Sequence, residues 1–240
     1  MLERAKAGRL PSKGYTLVSA DSLIQRATNW AWRGHLARGN LEVMAGLPGN
    51  GKSQIQCGEV ASFTTGCAWP DGSNGLDPGN VIMLVAEDCV ERTLLPRLIA
   101  TGAALDRIKI LKSIRRDEKD RTFLLAEDMG ILEQVVDDIG GVIAITVDPI
   151  TSYMGGKVDA HKATDVRTQL DPLQNLAERL NIVVSAVTHP PKNGGQRALD
   201  QFIGSQAFIA VPRVEKSKPM NTAVGEPRGA CCSRTLKTTS

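Results

Sequence analysis

Residues 46–53 read Gly46-Leu47-Pro48-Gly49-Asn50-Gly51-Lys52-Ser53, a glycine, four residues, then Gly-Lys-Ser. That spacing is the pattern of a phosphate-binding loop. Its glycines let successive backbone N–H groups turn inward around a polyphosphate, at positions where a side chain is expected to collide. From this loop Lys52 reaches the β- and γ-phosphates, and the Ser53 hydroxyl is placed to ligate Mg²⁺. The flanks agree. Residues 41–45 read as a short buried strand, and residues 53–63, with Gln54 in the first turn, read as a helix whose N-terminus faces the loop. The chain therefore reads as a nucleotide-binding protein.

The rest of the composition narrows the class. The 240 residues suffice for one domain with a small appendage, and 42% hydrophobic with 23% charged residues is ordinary for a globular chain. A net charge of +3 is too small to argue for a polyanionic partner, and 4% aromatics leaves little for a base-stacking platform. Cys57, Cys67, Cys89, Cys231 and Cys232 form no CxxC pair and are odd in number, as expected of reduced thiols in the cytoplasm. No run approaches the ~18 apolar residues of a membrane span, and the N-terminus lacks an apolar signal core. No membrane partner is expected.

Working outward from the loop, strand and helix alternate. Continuous apolar runs at residues 81–86, 108–111, 142–147 and 182–188 read as strands buried on both faces of a parallel sheet. Helices are expected at 90–102, at 127–139 with a stop at Gly140-Gly141, and at 162–180, broken or started afresh near Asp171-Pro172. The expectation is an α/β fold with a mostly parallel central sheet and helices on both faces. The charge run at 115–121 reads as a solvated connection. Before the loop, Asp21 and Ser22 are placed to cap a short helix reaching Trp30 and Trp32. That basic leader either packs on the core or docks on a neighbouring subunit or nucleic acid.

In open parallel sheets, ligands sit outside the C-terminal ends of the strands, so residues that end strands are candidates. Asp148 ends the 142–147 run and suits the acidic residue that holds a Mg²⁺ shell through water. Glu87 ends the 81–86 run and suits a general base for the water attacking the γ-phosphate, with Asp88 in reserve. His189 ends the fifth strand, placed to hydrogen-bond the γ-phosphate or its water. Arg213 lies beyond the same edge, where a guanidinium neutralises charge on the transferring phosphoryl group, often from an adjacent subunit. An ordinary surface arginine fits the sequence equally well.

The set formed by residues 46–53 and 81–88, Arg97-Leu98, Asp148-Pro149-Ile150, Asp159-Ala160-His161, Thr188-His189 and Gly204-Ser205 resembles the RepA-like ATPases. These belong to the RecA/DnaB-like superfamily of P-loop NTPases, with plasmid hexameric replicative helicases and prophage relatives among them. The resemblance spans residues 36–214, leaving residues 1–35 as a lead-in and 215–240 as an irregular tail. It implies a RecA-like fold, Mg²⁺-dependent ATP hydrolysis and hexameric rings with the nucleotide at subunit interfaces. Carried over, Lys52 and Ser53 bind phosphate and metal, Glu87 is the base, Asp148 holds the metal shell, His189 senses the γ-phosphate and Arg213 reaches the next subunit. The loops after the fourth and fifth strands would then face a central channel. Lys157, Lys162, Lys192 and Arg197 on those loops either grip single-stranded DNA or are merely solvated.

Residues 215–240 depart from this pattern, where relatives continue into further strands. A shifted reading frame over residues 229–240 permits a leucine-rich run, so a frameshift between about Val214 and Gly229 is expected, with C-terminal strands missing. Three functions follow: a ring-forming DNA helicase or translocase of plasmid or phage replication; a recombinase- or KaiC-like regulatory ATPase; and an inactive nucleotide-binding fragment that acts as an assembly partner.

Overall fold

The computed structural model describes residues 18–25, 27–116, 118–155 and 163–189. Its centre is a five-stranded parallel sheet. The strands are β3 (Asn40–Ala45), β4 (Asn80–Val85), β5 (Ile108–Ile110), β8 (Val142–Asp148) and β9 (Val183–Thr188), in the order β3-β9-β8-β4-β5. The runs expected as strands are those that form it, each within a residue or two. Alternation along the strands divides the core. Leu41, Val43, Ile82, Leu84, Ile145, Val147, Val184 and Ala186 face one layer. Val81, Met83, Ala144 and Val183 face the other.

The first layer holds α3 (Met129–Ile139) and α4 (Ala163–Leu180), which contribute Leu132, Val136, Leu170, Leu173 and Leu176. The second holds α1 (Lys52–Thr65) and α2 (Leu95–Ala100), which contribute Cys57, Val60, Phe63 and Leu98. Each fully buried side chain of this size stabilises the fold by about 1.5–3 kcal/mol. The arrangement is the three-layer α/β fold expected of a RecA-like P-loop domain. No helix among the described residues is long and apolar enough to cross a membrane.

Three local expectations are corrected. The segment around Trp30 and Trp32 is a hairpin of β1 (Trp30–Trp32) and β2 (Leu36–Ala37), turned at Gly34, and not a helix. Tryptophan favours a pleated surface, and the hairpin packs on the core: Ala31 is buried, Trp32 stacks on Trp69, and Trp69 Nε1 donates to the Ala31 carbonyl at 2.8 Å. The reading of the lead-in as packed on the core is thus the one seen for these residues.

The charge run at 115–121 forms a second hairpin, β6 (Ile114–Arg116) with β7 (Lys119–Arg121). Arg121 fixes it, giving two 2.8 Å hydrogen bonds to Asp128, whose side chain is 1% exposed. Helix α4 runs unbroken through Pro172. Thr168, whose carbonyl loses its donor there, is exposed, while Leu170 and Leu173 hold the helix to the core.

Candidate functional site

The phosphate loop joins β3 to α1 at the C-terminal edge of the sheet. Gly49 and Gly51 have φ of 84° and 75°, a region open to glycine but strained for other residues. Nothing lies within 4 Å of a Cβ placed on either, so among the described residues their requirement is conformational and not the crowding expected from sequence. Gly46 is different, since a Cβ there would meet Lys52 Cδ at 3.4 Å. Lys52 itself is 6% exposed, and its ammonium donates to the carbonyls of Gly46 at 2.7 Å and Leu47 at 2.8 Å. Burial lowers its pKa, and the negative charges of Asp148 and Glu87 oppose that shift.

The sheet brings four sequence candidates to this loop. Asp148 ends β8 level with Val85 of β4, and Thr188 ends β9 level with Ala45 of β3. The Ser53 hydroxyl hydrogen-bonds Asp148, linking the first turn of α1 to the strand end. Burial raises the Asp148 pKa, against this hydrogen bond and the nearby His189, while Asp88 and Glu87 raise it further. The charges of Glu87 and Asp88 are thus felt at Asp148, but only Asp148 touches the serine, and no cluster of three metal-ligating side chains is found among the described residues. His189 Nε2 lies 3.7 Å from Glu87 Oε2, and its Nδ1 is buried without a hydrogen-bond partner among the described residues.

Asp88, the reserve base, is otherwise engaged. Its Oδ2 accepts from Arg97 Nη1 at 2.6 Å, and the two side chains are about one-third exposed. Arg97 carried no assigned role in the sequence. Here it lines a cleft of about 230 Å³ together with Gly49, Gly51, Lys52, Ser53, Gln54 and His189. The signal available was the position of Arg97, one turn into the helix that follows the Glu87-Asp88 strand end. Among the described residues the cleft is smaller than the ~300–1,000 Å³ of a complete ligand pocket.

Arg213, Lys157, Lys162, Lys192 and Arg197 lie outside the described residues, as do residues 204–214 and the 215–240 tail.

The donor set suits a nucleoside triphosphate: a fixed ammonium, a hydroxyl bonded to a half-buried aspartate, an exposed carboxylate and an imidazole nitrogen unpartnered among the described residues, on one sheet edge. No curated protein matches the chain. A family model described as an AAA domain, AAA_25, matches residues 6–195, most of the chain. The chain belongs to the AAA_25 family and is a nucleotide-hydrolysing P-loop ATPase domain.

Proposed function

We propose that the domain is a Mg²⁺-dependent ATPase that assembles as a ring, hexameric in the RepA-like pattern, and moves along single-stranded DNA as a helicase or translocase in plasmid or phage replication. The observation that carries the hydrolytic part is the meeting of Lys52, Ser53, Glu87, Asp148 and His189 at one sheet edge. Lys52 holds the β- and γ-phosphates. Ser53, with Asp148 through water, would hold Mg²⁺, which neutralises charge on the phosphate oxygens when bound.

Glu87 takes a proton from a water whose oxygen attacks the γ-phosphorus, and the β–γ bridging oxygen leaves with the electrons of the broken bond. His189 contacts the γ-phosphate or the attacking water and transmits its loss to the chain that follows. The ring rests on the resemblance to the RepA-like ATPases, with Arg213 of a neighbouring copy as the group proposed to close the cleft. The DNA-facing part rests on the resemblance of residues 36–214 to the RepA-like ATPases, with Lys157, Lys162, Lys192 and Arg197 as backbone contacts.

The test is the ATPase rate with and without single-stranded DNA, measured beside the native mass. A hexamer with DNA-stimulated turnover is expected. Hydrolysis indifferent to DNA would favour a regulatory or recombinase-like ATPase. Nucleotide binding without hydrolysis would make the chain an assembly partner.

A further inference from the structure

Between the strand end that carries Glu87 and Asp88 and helix α2, the chain makes one π-helical turn, Val90–Leu94. The Cys89 carbonyl accepts from Thr93 N at 2.8 Å and from Leu94 N at 3.2 Å. The next N–H, that of Leu95, returns to the Val90 carbonyl five residues back. Pro96 accounts for this widening. It has no N–H to give, and in an α-helix its ring would collide with the carbonyl four residues earlier, that of Arg92. A π turn moves that carbonyl off the ring and takes up one extra residue. Relative to an unbroken α-helix, the side chains beyond it are rotated by about 100° against the strand end.

The first residue after the proline is Arg97. In the phase that the π turn gives, Leu94 and Leu98 are both buried, 4% and 1% exposed. At that phase Arg97 reaches Asp88 at 2.6 Å and stands on the cleft wall with Lys52 and His189.

We propose that Pro96 is a positioning residue of the nucleotide site, setting through the π turn the phase of α2 at which Arg97 meets both Asp88 and the phosphate cleft. The inference rests on reading this cleft as the ATP site. Asp88 then serves as the clamp on the guanidinium, and the proline decides whether clamp and guanidinium are in register.

The test is Pro96→Ala in the full chain, read by the affinity for a fluorescent ATP analogue and by steady-state ATPase kinetics. Alanine is the better helix former, so the variant should melt no lower than the parent. Its affinity should fall and KM rise by about fivefold or more, with kcat within about twofold. Asp88→Asn alone should weaken binding similarly, and adding it to Pro96→Ala should cost little more, because both act on one contact. Unchanged affinity and KM in Pro96→Ala, or full additivity with Asp88→Asn, overturns the proposal. If Pro96→Ala melts lower, Arg97→Lys replaces it: the π turn stays, the fork is lost, and unchanged affinity overturns the proposal as well. Lys52→Ala separates the two readings. Normal binding in that variant overturns the cleft as ATP site, whereas lost binding beside a normal Pro96→Ala overturns only the role of Pro96.

Discussion

Glu87 Oε2 and His189 Nε2 approach to 3.7 Å over the end of β8, the strand that separates β4 from β9. The distance is too long for a direct hydrogen bond and short enough for one moving group to close. The Glu87 side chain is 62% exposed, whereas Asp88 is clamped by Arg97. Of the two adjacent carboxylates, Asp88 is held by the guanidinium, and Glu87 is the one proposed as the base. Glu87→Gln is expected to keep nucleotide affinity and lower kcat by about 10²–10⁴-fold. Single-turnover hydrolysis beside analogue binding checks this, and undiminished turnover would move the base elsewhere.

The phosphate loop and all five parallel strands were legible because each follows a local rule: a glycine spacing, or an apolar run of strand length bounded by turns. Strand ends then located Glu87, Asp148 and His189. The Trp30–Trp32 hairpin is hidden in the sequence because a capping signal precedes it and its packing partner Trp69 is distant in the chain. Charge alone hid the β6–β7 hairpin, since the buried acceptor that orders Arg121 lies in the next element. Arg97 was missed because its direction depends on a π turn, which no periodicity argument based on α-helical repeat can supply.

Asp148 sits among Glu87 and Asp88 with its pKa raised by burial. A carboxyl whose folded pKa lies above its ordinary value favours the neutral form, so its contribution to stability declines as pH rises from that ordinary value through the folded one. At neutral pH the charged group therefore works against folding in the absence of a cation. Asp148→Asn is expected to raise the melting temperature at pH 7 while reducing hydrolysis, the trade expected of a functional carboxylate. Thermal melts at pH 7 beside Mg²⁺-dependent ATPase rates check both halves, and a lower melting temperature would sink the assignment.

The Arg121–Asp128 fork predicts a purely structural effect. Asp128 is buried, and its Oδ2 also accepts from Leu124 N at 2.8 Å, so it closes the turn that enters α3. Arg121→Ala leaves that carboxylate buried without its guanidinium and should cost about 2–3 kcal/mol. Urea unfolding measures the loss. Arg121→Lys should recover part of it, since an ammonium supplies charge without the planar fork. Equal stability of the alanine variant and the parent would mean that the fork adds nothing to the fold.

At the opposite end of α1, Asp71 ties the loop before β4 to the first hairpin. Its carboxylate accepts from Trp32 Nε1 at 3.0 Å, and from the Ser73 backbone N–H at 2.9 Å and hydroxyl at 2.6 Å. The hydrogen bonds from Ser73, with that from Trp32, lower its pKa to about 2. For a carboxylate depressed in this way, the stabilisation is complete above the ordinary value of 3.8 and is lost as pH falls through about 2. All three tryptophans of the chain, Trp30, Trp32 and Trp69, lie in this hairpin and the loop it packs on. Intrinsic fluorescence therefore reports on this contact and not on the phosphate end. A change in tryptophan emission is expected between about pH 4 and about pH 2, ahead of or together with global acid unfolding. Asp71→Asn should abolish the early component while leaving nucleotide affinity intact, because the contact is a full helix length from Lys52. An acid transition in the asparagine variant identical to the parent's would show that another carboxylate governs this end of the fold.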